Sequence, residues 1–166
     1  MQELEKIPEE NRVYVDESGI NEYLVRKHAR STKGIKVYGA ISGLRYSRES
    51  FIAGKIGSKV LAPFCYKGTC DTTLFNMWLK DFLIPELKPG QVVIIDNATF
   101  HKSQESQELI RKSGCRILFL PPYSPDLNPI EKFWANFKKR VRSNLEKIPT
   151  LAEAIDFSFL TILEAI

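Results

Sequence analysis

The pattern of apolar and polar positions changes character near residue 70. Ahead of it, short segments alternate with a period of two: 12–16 (RVYVD), 35–43 (IKVYGAISG) and 46–54 (YSRESFIAG). This predicts strands, the last two joined by a hairpin-type turn at Gly43-Leu44-Arg45. The run 60–66 (VLAPFCY) reads as a further short strand, which Pro63 assigns to an edge or an irregular stretch.

From Asp71 onward helical spacing takes over. Asp71 suits an N-cap, and Phe75, Trp78, Leu79 and Phe82 recur at i, i+3, i+4 and i+7 until Pro85 and Pro89-Gly90 intervene. The continuous apolar run 91–96 (QVVIID) predicts a strand buried on both faces, and 116–120 (RILFL) a second one. Between them, 103–113 reads as a polar helix stopped by Gly114. After PPYSPDLN comes a helix with Asn128 as N-cap, Pro129 in the first position, and Ile130, Phe133, Trp134, Phe137 and Val141 as its apolar stripe. A last helix opens on the capping box Thr150-x-x-Glu153. Strands first and alternating helices and strands later predict a mixed α/β sheet, antiparallel then parallel, with helices on both faces.

Composition narrows the class without naming a function. The chain has 166 residues, 43% hydrophobic and 27% charged, the make-up and size of one globular domain spanning 1–166. No apolar run is long enough for a membrane span. The opening MQELEKIPEENR is charged where a signal peptide is apolar, and three cysteines cannot all pair. Together these predict a cytoplasmic protein with no membrane partner. The net charge of +4 permits a polyanionic partner without requiring one.

Candidate chemistry sits at the ends of the apolar runs. VYVDES places Asp16, and VVIIDN places Asp96, each directly after a strand. In open α/β sheets, sites form outside the carboxyl ends of strands, so neighbouring strands bring two such acids together. Glu131 is a third. On a wheel with Ile130 at 0° it lies at about 100°, on the border of the apolar stripe and in the first helical turn. Taken singly, each aspartate is a turn residue and the glutamate a favourable acid at a helix N-terminus. Taken together, three carboxylates at one sheet edge repel one another unless a divalent cation joins them. Oxygen-only ligands favour Mg²⁺ or Mn²⁺ over zinc, and two such ions suit in-line phosphodiester displacement.

These residues, with 34 positions between Asp96 and Glu131, resemble the DDE catalytic domain of Tc/mariner-superfamily transposases, most closely the bacterial insertion-sequence branch. The segment SPDLNPIEKFW carries most of the likeness, with VDESG and IDNATFH in the expected order. The resemblance implies a ribonuclease-H-like fold, with Asp16 on the first strand, Asp96 on the fourth and Glu131 on the following helix. It also implies cleavage and 3′-OH strand transfer at the inverted-repeat ends of a mobile element, and a homodimeric assembly. Such transposases carry helix-turn-helix modules ahead of this domain. Here residues 1–11 read as a short extension, so that half is expected from a separate or fused chain. A hydrolysis-only nuclease and a catalytically idle, DNA- or partner-binding remnant are the competing readings.

Other positions are weighed against plainer roles. Asp126 competes with Glu131 as third ligand, or shapes its loop. Glu17 points to the opposite face from Asp16 if the strand continues. Asn97 is a turn residue or a phosphate contact, and His101 a surface histidine, proton carrier or phosphate contact. Arg26, Lys27, Arg30 and Lys33 belong to a segment, 26–36, with five basic residues and no acid. Lys138 and Arg142 share the Glu131 flank of its helix, at about 80° and 120°. All six basic residues are candidate DNA contacts. Cys65, Cys70, Cys115, His28 and His101 lack zinc-type spacing, and GxSxG and Walker-type glycine loops are missing.

Overall fold

The computed structural model describes residues 2–21, 48–122 and 124–164. Among the described residues five strands form one sheet: β1 (Arg12–Asn21), β2 (Arg48–Ile56), β3 (Lys59–Lys67), β4 (Val92–Ile95) and β5 (Arg116–Phe119). Their order is β3-β2-β1-β4-β5. The first three pair antiparallel, and β4 and β5 add parallel to β1. This is the expected mixed sheet, and its connectivity is ribonuclease-H-like.

Helices cover both faces. On one, α2 (Thr72–Trp78), the turn that continues it over Leu79–Leu83, and α3 (Gln104–Lys112) bury Phe75, Trp78, Leu79, Leu83 and Ile110 against Val13, Val15, Ile52, Val93 and Ile95. On the other, α4 (Ile130–Asn144) and α5 (Leu151–Leu163) pack Trp134, Phe137 and Phe159 around Phe51. A single-turn α1 (Gln2–Glu5) and Ile7 close the sheet beside Val92 and Ile94, so the segment ahead of β1 belongs to the core rather than extending from it. Among the described residues no helix is long and apolar enough to cross a membrane.

Three local expectations need correcting, whereas the strand read at 60–66 forms as expected: it is the edge strand 59–67, in which Pro63 sits in a bulge where a missing N–H costs little. There Ala62 takes φ 48°, and its carbonyl accepts from Trp78 Nε1 at 2.8 Å. The α2 stripe slips by one residue: a π-turn over Leu79–Leu83 buries Leu83 and turns Phe82 outward, 37% exposed. Asn128 does not cap α4 with its side chain. Its carbonyl accepts the Glu131 N–H at 3.1 Å, while its Oδ1 is buried without a partner among the described residues. Finally, β1 does not end at Asp16 but runs on to Asn21. The segment 35–43 and the turn 43–45 lie outside the described residues, and the strand read as 46–54 is β2 over Arg48–Ile56.

The Asp71 and Thr150 caps form as expected and Ser103 caps α3 likewise, each side chain accepting a backbone N–H of its helix's first turn.

Candidate active site

The parallel ladder between β1 and β4 ends at Tyr14↔Ile94, two residues short of both aspartates. Asp16 therefore stands where β1 parts from β4, still paired on its other side with Ala53 of β2. Asp96 is the first residue after β4. Glu131, second residue of α4, reaches the same place from the face that α4 covers. All three carboxylates line one open cleft of about 390 Å³, together with Asn97 and Asn128. Asp126 is exposed and borders a neighbouring hollow instead, with Glu131 and Lys132 but neither aspartate. Glu131 is thus the acid that shares the cleft.

The charges are coupled. Burial, then the charges of Glu17, Glu131 and Asp96, push the Asp16 carboxyl up to about 8. Asp96 moves the other way. The hydrogen bond from His101 holds it below the usual carboxylate range, helped by the Ala98 N–H. His101 is completely buried, so it is neither a surface residue nor positioned for a phosphate, contrary to its sequence reading. Its Nδ1 lies 2.7 Å from Asp96 Oδ1, and its Nε2 lies 2.7 Å from Glu17 Oε1. Burial alone would lower its pKa, but two carboxylates, one at each ring nitrogen, raise it to about 9. With an acceptor at both nitrogens the ring is an imidazolium donating twice. Glu17 does face away from Asp16, as alternation requires, and on that far face it meets His101.

The basic residues divide. Lys138 is half-buried on the Glu131 flank: burial lowers its pKa, and the charges of Glu131 and Asp16 act against that. Arg142 and Lys139 are exposed, and Asn97 is half-buried in the cleft wall. Arg26, Lys27, Arg30 and Lys33 lie outside the described residues. The three cysteines are free, and burial raises the Cys65 and Cys70 thiols to about 12, which makes them inert.

The donor set fits a hard divalent cation. The acids of the cleft offer oxygen alone, and their mutual repulsion, visible at Asp16, is what a cation would relieve. Among the described residues no three His, Cys, Asp or Glu side chains are already gathered into a metal-binding cluster.

Over residues 11–153 the chain matches the family described as DDE superfamily endonuclease. It belongs to that family. Among its relatives is the Tcb2 transposable-element transposase of Caenorhabditis briggsae. The two are 28% identical over 149 residues, covering 80% of this chain and 52% of the relative. The chain spans about half or less of the curated relatives it matches. The fold is similar to that of the mariner Mos1 paired-end complex with Mn (TM-score 0.63, 16% identity, 99% of this chain and 56% of that one). It is also similar to the catalytic core domain of BIV integrase (TM-score 0.57, 10% identity, 92% and 82%). At those identities the likeness establishes the ribonuclease-H-like fold, and chemistry must be argued from the site.

Proposed function

We propose that this chain is a single transposase catalytic domain, 1–166, which cuts DNA and joins the freed 3′-OH to a target. The observation that carries the reading is the meeting of Asp16, Asp96 and Glu131 at one cleft with a basic flank beside it. In this reading the three carboxylates hold the cations. Two Mg²⁺ or Mn²⁺ ions there would activate the attacking oxygen and stabilise the leaving one at phosphorus. The protein's own part is to set the carboxylate directions, to keep Asp16 deprotonated once its repulsion is relieved, and to bind the backbone of the strand being cut. The relatives and the Mos1 complexes support a DNA substrate for a chain of this family. Element-end recognition is assigned to a helix-turn-helix half, fused or separate, because phosphate contacts carry no base information directly. The active assembly is a homodimer working in the cytoplasm, on the nucleoid in a bacterium.

The deciding experiment supplies a duplex with a pre-cut 3′-OH end and a second, circular DNA in Mg²⁺. Joined product is expected. Hydrolysis of the target without joining would make the chain a nuclease only.

The basic flank has its own test. Lys138→Ala and Arg142→Ala are expected to weaken binding of all DNA sequences alike, and each to flatten the log K–log salt slope by about one unit. Lys139→Ala, about 180° round the helix from Ile130, is the control. Filter binding across a salt series checks this, and equal losses at Lys139 and Lys138 would contradict the face assignment.

A further inference from the structure

The backbone does not fix the two aspartates equally. Asp16 lies within β1 and is paired to β2. Asp96 lies beyond the end of β4, past the last rung of the ladder to β1. Its carboxylate is held instead by two donors on one oxygen, Oδ1: the Ala98 N–H at 3.0 Å and His101 Nδ1 at 2.7 Å. The histidine is itself held from behind. Glu17 Oε1 meets Nε2 at 2.7 Å, and the rings of Phe100 and Phe75 lie 4.1 and 4.5 Å from its own. Glu17 is the residue next to Asp16, on the opposite face of the sheet. A side-chain bridge, Glu17–His101–Asp96, therefore joins the strand of Asp16 to the loop of Asp96 just where main-chain pairing stops.

We infer that His101 is a positioning residue for the cation site. By fixing Oδ1 of Asp96 it sets the direction in which the other oxygen takes a ligand, and Glu17 anchors the ring that does so. This inference rests on the ion-binding reading of the cleft. Hydrogen bonds that orient a metal's carboxylate ligands are commonly worth about 10–100-fold in metal affinity. His101 is completely buried and does not line the cleft, so its effect is to be read on the metal.

A matched pair of variants separates positioning from simple packing. His101→Asn places an amide N–H where Nδ1 stood and keeps the donor to Asp96. His101→Gln places one where Nε2 stood and keeps only the contact to Glu17. Each loses one hydrogen bond of a buried ring. The readout is the Mn²⁺ concentration giving half-maximal thermal stabilisation, which requires no turnover. The Gln variant is expected to need about 10–100-fold more Mn²⁺ than the parent, and the Asn variant to stay near the parent value. Equal affinities in the two variants, or the weaker site in Asn, would overturn the inference. A mutation-free measurement stands beside it if neither variant folds: the ring ¹⁵N resonances of His101 followed through a Mg²⁺ titration. They are expected to shift with the same half-saturation as the thermal effect, and unmoved resonances would overturn the inference. Asp96→Asn distinguishes the two levels of failure. Mn²⁺ stabilisation undiminished by Asp96→Asn would remove the ion-site reading and this inference with it. Stabilisation lost in Asp96→Asn but intact in His101→Gln would remove the inference alone.

Discussion

Asp16→Asn, Asp96→Asn and Glu131→Gln are each expected to lower Mg²⁺-dependent strand cleavage by about a thousandfold or more, with duplex binding nearly intact. The size follows from the several kcal/mol that a metal site contributes to stabilising charge at a reacting phosphoryl oxygen, each 1.36 kcal/mol being tenfold in rate. The selectivity follows from where the residues stand. The three carboxylates share the cleft, whereas the candidate phosphate contacts Lys138 and Arg142 lie further along the α4 flank. Because the acids act as a unit, a double variant is expected to be little worse than a single one. Asp126→Asn is expected to keep most of the activity, since Asp126 borders a different hollow. Single-turnover cleavage of a labelled duplex measures all of these. Full activity in Glu131→Gln would move the third ligand elsewhere.

The second large effect is on stability. In the metal-free protein the Asp16 carboxyl is raised from 3.8 to about 8, chiefly by burial and then by its acidic neighbours. Between those values the folded chain keeps a proton that the unfolded chain has released, so stability falls as pH rises from about 4 to about 8. His101 adds to the fall at the upper end. Its pKa is raised from 6.5 to about 9, so its contribution is whole below 6.5 and is lost as pH passes about 9. Asp16→Asn removes the first of these declines. At pH 8 without metal the variant is expected to melt at least about 3 °C above the parent, the equivalent of roughly 1 kcal/mol in a chain of this size. Mg²⁺ or Mn²⁺ is expected to stabilise the parent more at pH 8 than at pH 6, because the site must lose a proton to bind, and to stabilise the variant far less. Scanning fluorimetry over pH, with and without metal, gives both results. A variant no more stable than the parent at pH 8 would contradict the burial and repulsion assigned to Asp16.

Much of this was written in short-range signals. An aspartate directly after an apolar run singled out both Asp16 and Asp96: β4 does end there, while β1 runs on past Asp16 and only its ladder to β4 stops. The apolar stripe of α4 put Glu131 at its border, and that is where the residue meets the cleft. What the sequence hides is set by long-range packing. Pro63 marks 60–66 as an edge or irregular strand, but the anchoring of its bulge by Trp78, from another element, has no local sign. The π-turn that swaps Leu83 for Phe82 breaks the helical period on which the stripe was counted. His101 carries no local mark of burial at all. Its partner Glu17 lies 84 residues away in sequence, and the pair is visible only once β1 and β4 are neighbours. The same holds for Asn128, where an N-cap pattern conceals a side chain turned inward beside the acids.

The central claim is that Asp16, Asp96 and Glu131 together hold the divalent ions that cleave DNA. Its most direct test is diffraction from crystals of the chain soaked in Mn²⁺, with data collected for manganese anomalous scattering. An anomalous peak ligated by oxygens of Asp16 and Asp96, with Glu131 within reach of it or of a second peak, is the predicted result. Manganese bound at Asp126, or found only at surface carboxylates away from the cleft, would contradict it.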